Sequence, residues 1–197
     1  MTKMKRLRII SNVNLSIYSI YIVDNFLEEE YYKQVFKKVK EITKKDSMGN
    51  ITNVKANMTT FKELMNHKVF QRFFTDSITM LHFIYTLRCD HPNEDFEFRL
   101  CDGWAMKHCK GDQTTMHTHG PTYWSAAYYP KIPGETYMHF PDFQHSELLK
   151  TNSLYLFHGL TRHGVDPQQY QEPRYSMSFN VEQIKIRNSY KYFIVYY

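Results

Sequence analysis

The chain is organised around the stretch Gly111-Asp-Gln-Thr-Thr-Met-His117-Thr-His119-Gly-Pro-Thr-Tyr-Trp-Ser-Ala-Ala-Tyr-Tyr129. A Gly-Asp turn opens this stretch, a His-x-His pair follows, and an aromatic, strand-forming run closes it. Successive side chains of a β-strand point to opposite faces, so two imidazoles two residues apart share a face. On one extended strand, His117 and His119 could therefore reach a single metal ion.

A His-x-His pair alone is weak evidence for a metal site, because the chain has ten His residues and such a pair often arises by chance. A third imidazole would make the site more specific. His163 supplies it, just after a hydrophobic strand that breaks at Gly159. Strand ends and the loops after them present side chains into the mouth of a barrel. Three neutral imidazoles suit iron, zinc, copper or nickel, and neither thiolate ligation nor an oxygen-rich calcium or magnesium site is indicated.

An arginine follows on the next predicted strand, in Pro-Arg174-Tyr-Ser176-Met-Ser178-Phe-Asn. Strand alternation places these three polar side chains on one face and the apolar Tyr, Met and Phe on the other. An inward-facing guanidinium requires an anion. A carboxylate bound bidentately by Arg174, with a hydroxyl bond from Ser176, is the simplest partner. The alternative is a structural ion pair with an acidic side chain such as Glu172.

The order His-x-His, then His163, then Arg174-x-Ser176 resembles the iron(II)- and 2-oxoglutarate-dependent oxygenases. In that family a His-x-Asp/Glu pair and a distal His hold iron, and an Arg-x-Ser on the following strand binds the far carboxylate of 2-oxoglutarate. The run from His117 to Tyr129 and the later Arg-x-Ser-x-Ser-Phe-Asn look most like the members found in bacterial and phage genomes. The resemblance covers residues 104–180 firmly. It is looser before them, where the segment from Ile20 is similar to prolyl-hydroxylase-type members.

The resemblance implies a mainly β, α+β fold: a double-stranded β-helix, which is a cupin-like jelly roll. It implies Fe(II), 2-oxoglutarate and O2 as cofactors, and a dioxygenase reaction that couples oxidative decarboxylation of 2-oxoglutarate to hydroxylation of a substrate. The implied site has metal ligands and cosubstrate-binding residues, namely His117, His119 and His163 for the metal and Arg174, Ser176 and Tyr129 for the cosubstrate.

One departure from the family pattern is His119, which stands where the wider family has Asp or Glu. The metal site would then be three His, or His119 would lie behind the ligands while Asp112 or Asp166 completes the site. A second interpretation is a cupin-like metal-binding protein without 2-oxoglutarate turnover. Gly111 and the His-x-His match the first half of a cupin motif, but residues 120–125 lack the Glu that should follow.

The pattern predicts one domain over residues 1–197, with helical support at about 24–90 and a β-helix core at about 96–197. Apolar residues at helical spacing predict helices at 27–44 and about 67–87, with a polar, mobile loop at 46–60 between them. The helices are expected to buttress the sheet. From Phe96 onward, short apolar or alternating runs predict strands at 96–100, 103–109, 115–119, 122–129, 136–140, 153–157, 164–165, 175–181 and 190–196, after one at 17–23.

Some aromatic and histidine side chains have a less specific interpretation. Alternation puts Tyr123 and Tyr129 on one face of their strand and Tyr128 on the other, without indicating which face points inward. The remaining strand histidines are interpreted as surface residues or as satisfied by hydrogen bonds, namely His108, His139, His145 and His158.

The composition is that of a folded protein, with 42% hydrophobic and 16% aromatic residues. A net charge of +5 is modest, so nucleic acid is not indicated as a partner, and basic runs such as residues 3–8 are interpreted as solvated faces or tails. Three Cys without a Cys-x-x-Cys spacing predict a cytoplasmic protein, in the host cytoplasm if the gene is a phage gene. Polar residues interrupt the apolar N-terminal run, which argues against a signal peptide or membrane span. A small molecule, a protein side chain and a nucleobase all remain open as substrates.

Overall fold

A computed structural model describes residues 5–11, 19–49, 51–88, 96–120 and 122–185. Two antiparallel β-sheets and two α-helices account for most of the regular structure in these ranges. The helices are α1 (Glu29–Ile42) and α2 (Gln71–Arg88), and the strands are β1 (Arg6–Ser11), β2 (Ser19–Asp24), β3 (Val54–Lys55), β4 (Asn57–Met58), β5 (Phe96–His108), β6 (Gln113–His117), β7 (Trp124–Lys131), β8 (Tyr137–Phe140), β9 (His145–Leu148), β10 (Ser153–His158), β11 (His163–Val165) and β12 (Arg174–Lys185).

The larger sheet has the strand order β1-β2-β10-β7-β12-β5-β4, and the smaller sheet has the order β3-β6-β11-β8-β9. Neighbouring strands in each sheet are mostly distant in sequence, as in a jelly roll. One apolar cluster contains residues of both sheets, including Tyr155 and Phe157 of β10, Phe140 of β8 and Val165 of β11. The two sheets therefore face each other across a shared core.

The helices cover the other face of the larger sheet. Val35 and Val39 of α1 and Phe73 of α2 are completely buried, in one cluster with Met177 and Phe179 of β12. The predicted buttressing role of the helices is therefore confirmed. Tyr175, Met177 and Phe179 of β12 face the helices, so the alternate residues Arg174, Ser176 and Ser178 point toward the space between the sheets.

Tyr31 connects the two helices through its hydroxyl group. The hydroxyl donates to the carbonyl of Val69 at 2.7 Å and accepts from the backbone N–H of Phe73 at 2.7 Å. The N–H of Phe73 lies in the first turn of α2, where no intrahelical acceptor exists. Tyr31 thus satisfies a buried donor that the helix leaves without a partner.

We expect Tyr31→Phe to lower the free energy of unfolding by about 1–3 kcal/mol, because the buried N–H of Phe73 loses its acceptor. Urea denaturation followed by circular dichroism measures this change. Tyr123→Phe is the matched control, since that ring is 45% exposed and its change should stay within about 0.5 kcal/mol. Equal effects of the two substitutions would contradict the assigned role of Tyr31.

Of the two interpretations of the basic N-terminal run, a solvated face or a tail, the tail is wrong from Arg6 onward. Residues Arg6–Ser11 form β1, which pairs with β2. Arg8 makes ion pairs with Asp24 at 3.0 Å and with Glu147 at 2.7 Å. Because Glu147 belongs to β9, this pair joins an edge of the larger sheet to the smaller one. Partners this distant in sequence leave no local pattern.

The predicted mobile loop at 46–60 is also partly wrong. It contains β3, which pairs with β6, and β4, which pairs with β5, so one short segment contacts both sheets. The carboxylate of Asp46 accepts from the N–H of Gly49 at 2.7 Å and of Met58 at 3.2 Å. Strands of two residues are too short to show a period of two, and the polar composition hid them.

Other differences concern strand boundaries. The strands predicted at 96–100 and 103–109 are one strand, β5, and the register shift between Asn180 and Val181 of β12 lies opposite Cys101, between Leu100 and Asp102. Strand β9 was not predicted. The strand predicted at 190–196 lies outside the described residues.

In the part of the chain that the structure describes, we find no helix that combines the length and apolar character needed to cross a membrane.

Candidate functional site

The histidines His117 and His163 face each other across two neighbouring strands. His117 ends β6, His163 begins β11, and the two residues are directly paired. His119 lies beyond the end of β6, so the prediction of one strand through both members of the His-x-His pair is wrong. Hydrogen bonds hold the loop instead: the N–H of His119 donates to the carbonyl of Gly159 at 2.7 Å, and the hydroxyl of Thr122 donates to the carbonyl of His119 at 2.6 Å.

The three imidazoles nevertheless converge. The Nε2 atom of His119 lies 3.0 Å from Nε2 of His117 and 3.4 Å from Nε2 of His163. A zinc–imidazole bond is about 2.0–2.1 Å long, so two nitrogens on one ion are about 3.0 Å apart at a right angle and about 3.4 Å apart at a tetrahedral angle. These separations are those of nitrogens that share one ion.

Two of the rings are oriented by backbone carbonyls. Nδ1 of His117 donates to Thr115 at 2.8 Å, and Nδ1 of His163 donates to Thr161 at 2.9 Å. A carbonyl only accepts, so the proton is on Nδ1 and the lone pair of Nε2 points to the common centre. Carbonyl partners of this kind orient the ligands of metal sites.

Burial lowers the pKa of all three imidazoles, and their mutual proximity adds to the shift for His119 and His163. The pKa of His119 falls to about 3, and those of His117 and His163 also lie below the usual value. The rings are therefore neutral at neutral pH, which is the form that binds metal.

No carboxylate joins this cluster among the described residues. The carboxylate of Asp112 accepts from the N–H of Cys109 at 2.7 Å, and that of Asp166 contacts Nε2 of His139 at 2.7 Å. Both acidic alternatives for the third ligand are thus engaged elsewhere. The donor set that fits a metal here is three imidazoles.

The cluster opens onto a cavity between the two sheets. Its walls include Trp104, Met106 and His108 of β5, which share a face by strand alternation, and Asn53 and Val54 of the segment before β4. Further lining residues come from the middle of the larger sheet, namely Tyr129 of β7 and Arg174, Ser176 and Ser178 of β12. The alternation predicted for β12 is therefore confirmed.

Arg174 is fully buried in this cavity. Its Nη1 donates to the carbonyl of Asp166 at 3.2 Å, whereas Nε and Nη2 have no partner among the residues that the structure describes. Glu172, the acid considered as its partner, pairs with Lys131 at 3.0 Å instead, so the ion pair between Arg174 and Glu172 is not formed. Nε and Nη2 form one edge of the guanidinium, the edge that binds both oxygens of a carboxylate. Burial lowers the pKa of Arg174, yet a guanidinium stays charged and needs an anion.

The tyrosines of β7 separate as their alternation requires. Tyr129 lines the cavity, and burial raises the pKa of its hydroxyl, which stays protonated as a donor. Tyr128 packs toward the helices and bonds to Oδ1 of Asn152 at 2.9 Å. Tyr123 is largely exposed.

His108 does not fit its interpretation as a surface or satisfied histidine. It is only 1% exposed, and in the described part of the chain Nδ1 has no partner although Nε2 bonds to the hydroxyl of Thr114 at 3.1 Å. The other interpretations hold for His139, which bonds to Ser146 and Asp166, and for His145, which bonds to Glu147. The alternation of β5 was the available signal, because it places His108 on the same face as Trp104.

The unpartnered buried nitrogens are concentrated in this cavity. Within the described ranges, each buried side-chain nitrogen without a hydrogen-bond partner belongs to a residue that lines it: Trp104 Nε1, His108 Nδ1, and Nε and Nη2 of Arg174. Buried polar groups are normally satisfied. A cavity with several free donors therefore fits a ligand rich in acceptor oxygens.

No protein-family model and no curated protein sequence matches this chain. Solved structures do. A viral collagen prolyl hydroxylase from Paramecium Bursaria Chlorella virus-1, in its 2-oxoglutarate complex, has a TM-score of 0.59 at 13% identity and covers 82% of this chain and 94% of its own. A Pseudomonas putida prolyl-4-hydroxylase has a TM-score of 0.62 at 12% identity, with 86% and 95% covered.

A third similar structure is HygX from Streptomyces hygroscopicus with nickel and 2-oxoglutarate bound. Its TM-score is 0.58 at 10% identity, and 83% of this chain and 81% of that chain are covered. At such identities the similarity establishes the fold. The predicted double-stranded β-helix is confirmed.

Proposed function

We propose that this chain, which has the fold of the iron- and 2-oxoglutarate-dependent oxygenases, is itself a dioxygenase that hydroxylates a substrate with O2 and 2-oxoglutarate. One observation carries the proposal: a single cavity contains three converging imidazole nitrogens and a buried guanidinium with a free bidentate edge. A ligand with a metal-chelating end and a carboxylate end satisfies both groups at once. A simple metal-binding protein would need the imidazoles but not Arg174.

In this proposal His117, His119 and His163 hold the iron through Nε2. An Fe(II) ion there would supply the oxygen activation that is coupled to decarboxylation of the 2-oxo acid. The chain itself orients the ligands through the carbonyls of Thr115 and Thr161. Three neutral imidazole ligands do not offset the positive charge of the iron. In this proposal the anionic cosubstrate balances that charge and so compensates for the missing protein carboxylate.

The other end of the cosubstrate would be held by Arg174, Ser176 and Tyr129. Ser176 and Tyr129 are 2% and 3% exposed and line the same cavity as Arg174. Their hydroxyls add neutral donors beside the guanidinium, so a terminal carboxylate receives several charge-assisted hydrogen bonds. Such bonds are strong where water is excluded.

Two wider features of the chain belong to the same proposal. Residues 1–197 are proposed to form one domain, because the helices, the larger sheet and the smaller sheet meet in continuous apolar clusters. Asn53 and Val54 line the cavity, which supports a role for the segment 46–60 at the substrate entrance. The free thiols of Cys101 and Cys109 support the proposed cytoplasmic location.

The proposal predicts that the protein loaded with Fe(II) converts 2-oxoglutarate to succinate in the presence of O2, even without its substrate. Succinate is measured by mass spectrometry, with protein loaded with Zn(II) as the inactive control. If the protein retains zinc through purification and the iron form makes no succinate, the metal-binding alternative is the better account.

A further inference from the structure

His108 occupies a special position relative to Arg174. The two residues are directly opposite each other in the pairing of β5 with β12. Directly opposed residues have Cβ atoms about 4.5–5.5 Å apart and point to the same face of the sheet. Both side chains line the cavity, and both have polar atoms that no described residue hydrogen-bonds.

The hydrogen bonds of His108 define what its free nitrogen can do. Nε2 lies 3.1 Å from the hydroxyl of Thr114, which can donate or accept. When the hydroxyl donates to Nε2, the ring proton lies on Nδ1 and points to a group in the cavity. An acceptor bound in the cavity selects this tautomer, because it then receives a hydrogen bond from Nδ1.

The charge of His108 is also determined by its surroundings. Burial, and after it the positive charge of Arg174, lower the pKa of His108 well below the usual value. The ring is therefore a neutral donor that does not repel the neighbouring guanidinium. A protonated His108 would be a second buried cation beside Arg174. Its desolvation cost would have no second anion to offset it.

We propose that His108 is a further cosubstrate-binding residue, whose Nδ1–H donates to the terminal carboxylate held by Arg174. This inference rests on the proposed function. It extends the carboxylate site over three adjacent strands, since β7, β12 and β5 are neighbours in the larger sheet and contribute Tyr129, Arg174 and His108. The carboxylate then lies above the central strand, with a neutral donor on each side of the cation.

A pair of substitutions separates the two ring nitrogens. The amide of Asn reaches the position of Nδ1, whereas the longer Gln places its amide near Nε2. His108→Asn keeps a donor for the carboxylate, and His108→Gln keeps the contact with Thr114 but loses that donor. A purely structural role of the Thr114 contact predicts the opposite order of effects.

The test is calorimetric titration of 2-oxoglutarate into Mn(II)-loaded protein without O2, together with KM and kcat for succinate formation by the iron form. We expect His108→Gln to raise the dissociation constant and KM about tenfold to hundredfold, the range for a hydrogen bond to a charged group. The kcat at saturation and the Mn(II) affinity should not change. For His108→Asn, the dissociation constant and KM should stay within about threefold of the wild-type values. That change is well below the loss of one hydrogen bond to a charged group.

A ligand without the terminal carboxylate is the control for this reading. The affinity for 2-oxopentanoate, which has the same chain length, should be the same in the wild type and both variants. Thr114→Val leaves the ring of His108 in place but removes the hydroxyl that donates to its Nε2. The tautomer with the proton on Nδ1 is then less favoured, so 2-oxoglutarate binding should weaken about twofold to tenfold. Thr114→Val also keeps the test open if the His108 variants fold poorly.

Three results would overturn the assignment of His108: unchanged 2-oxoglutarate affinity in all the variants, equal losses in His108→Asn and His108→Gln, or a parallel loss for 2-oxopentanoate. Absence of 2-oxoglutarate binding by the wild type is a different result. That outcome would remove the proposed function itself.

Discussion

Arg174→Met is expected to abolish tight binding of 2-oxoglutarate while metal binding survives. Two donors, Nε and Nη2, are lost from one bidentate contact, and a hydrogen bond to a charged group contributes about 1.5–3 kcal/mol. The combined loss of about 3–6 kcal/mol corresponds to a dissociation constant raised by about a hundredfold or more. Calorimetric titration of 2-oxoglutarate and of Mn(II) measures both affinities on the same protein.

The same substitution should not destabilise the protein without cosubstrate. A buried guanidinium without an anion has an uncompensated desolvation cost, so a Met, which replaces the apolar stem but not the charged end, should leave the free energy of unfolding unchanged or raise it. Arg99→Met is the matched control because its side chain is 60% exposed; it should change neither affinity. If Arg174→Met keeps wild-type affinity for 2-oxoglutarate, the anion pocket is assigned wrongly.

His119→Ala and His119→Asp should have opposite outcomes. Substitution of groups that only support metal ligands costs about tenfold to hundredfold in affinity, so loss of a ligand in His119→Ala should cost at least about a hundredfold. Succinate formation should fall with it. His119→Asp introduces the carboxylate that stands at this position in the family that the motif resembles, and it should retain iron and form succinate. Iron content after dialysis and succinate yield are the two measurements.

His145→Ala is the control for this pair, since His145 bonds to Glu147 on β9 and lies outside the metal cluster. It should retain iron and activity. If His119→Ala also retained both, His119 would not be a ligand, and the site would consist of His117 and His163 with a group from elsewhere.

Local periodicity predicted the parts of the fold that depend on local residues. The helix at 27–44 is observed as α1, and the alternation of β12 assigned Arg174 and Ser176 to the cavity side. Strands β3, β4 and β9 were missed because their runs are short or polar, and β1 because its basic residues were interpreted as a solvated face or tail. The break expected at Cys101-Asp102 is absent because β5 stays paired with β12 through a register shift there.

The candidate site was likewise predicted where it depends on local sequence and missed where it depends on contacts between distant residues. His117, His163 and Arg174 were identified from motif order, and the structure brings them to one cavity. The place of His119 in a loop was not foreseen, because tertiary hydrogen bonds such as the one to Gly159 determine it. His108 was dismissed, since its importance depends on being paired with Arg174 across the sheet, and a single sequence does not display that pairing.

The most direct test of the central claim is a crystal structure of the anaerobic complex with Fe(II) and 2-oxoglutarate, with the iron located by anomalous diffraction. We expect one iron bound by Nε2 of His117, His119 and His163, with the terminal carboxylate of the cosubstrate on the Nε and Nη2 edge of Arg174. Iron bound elsewhere, a protein carboxylate as the third ligand, or an Arg174 edge without the cosubstrate carboxylate would contradict the account.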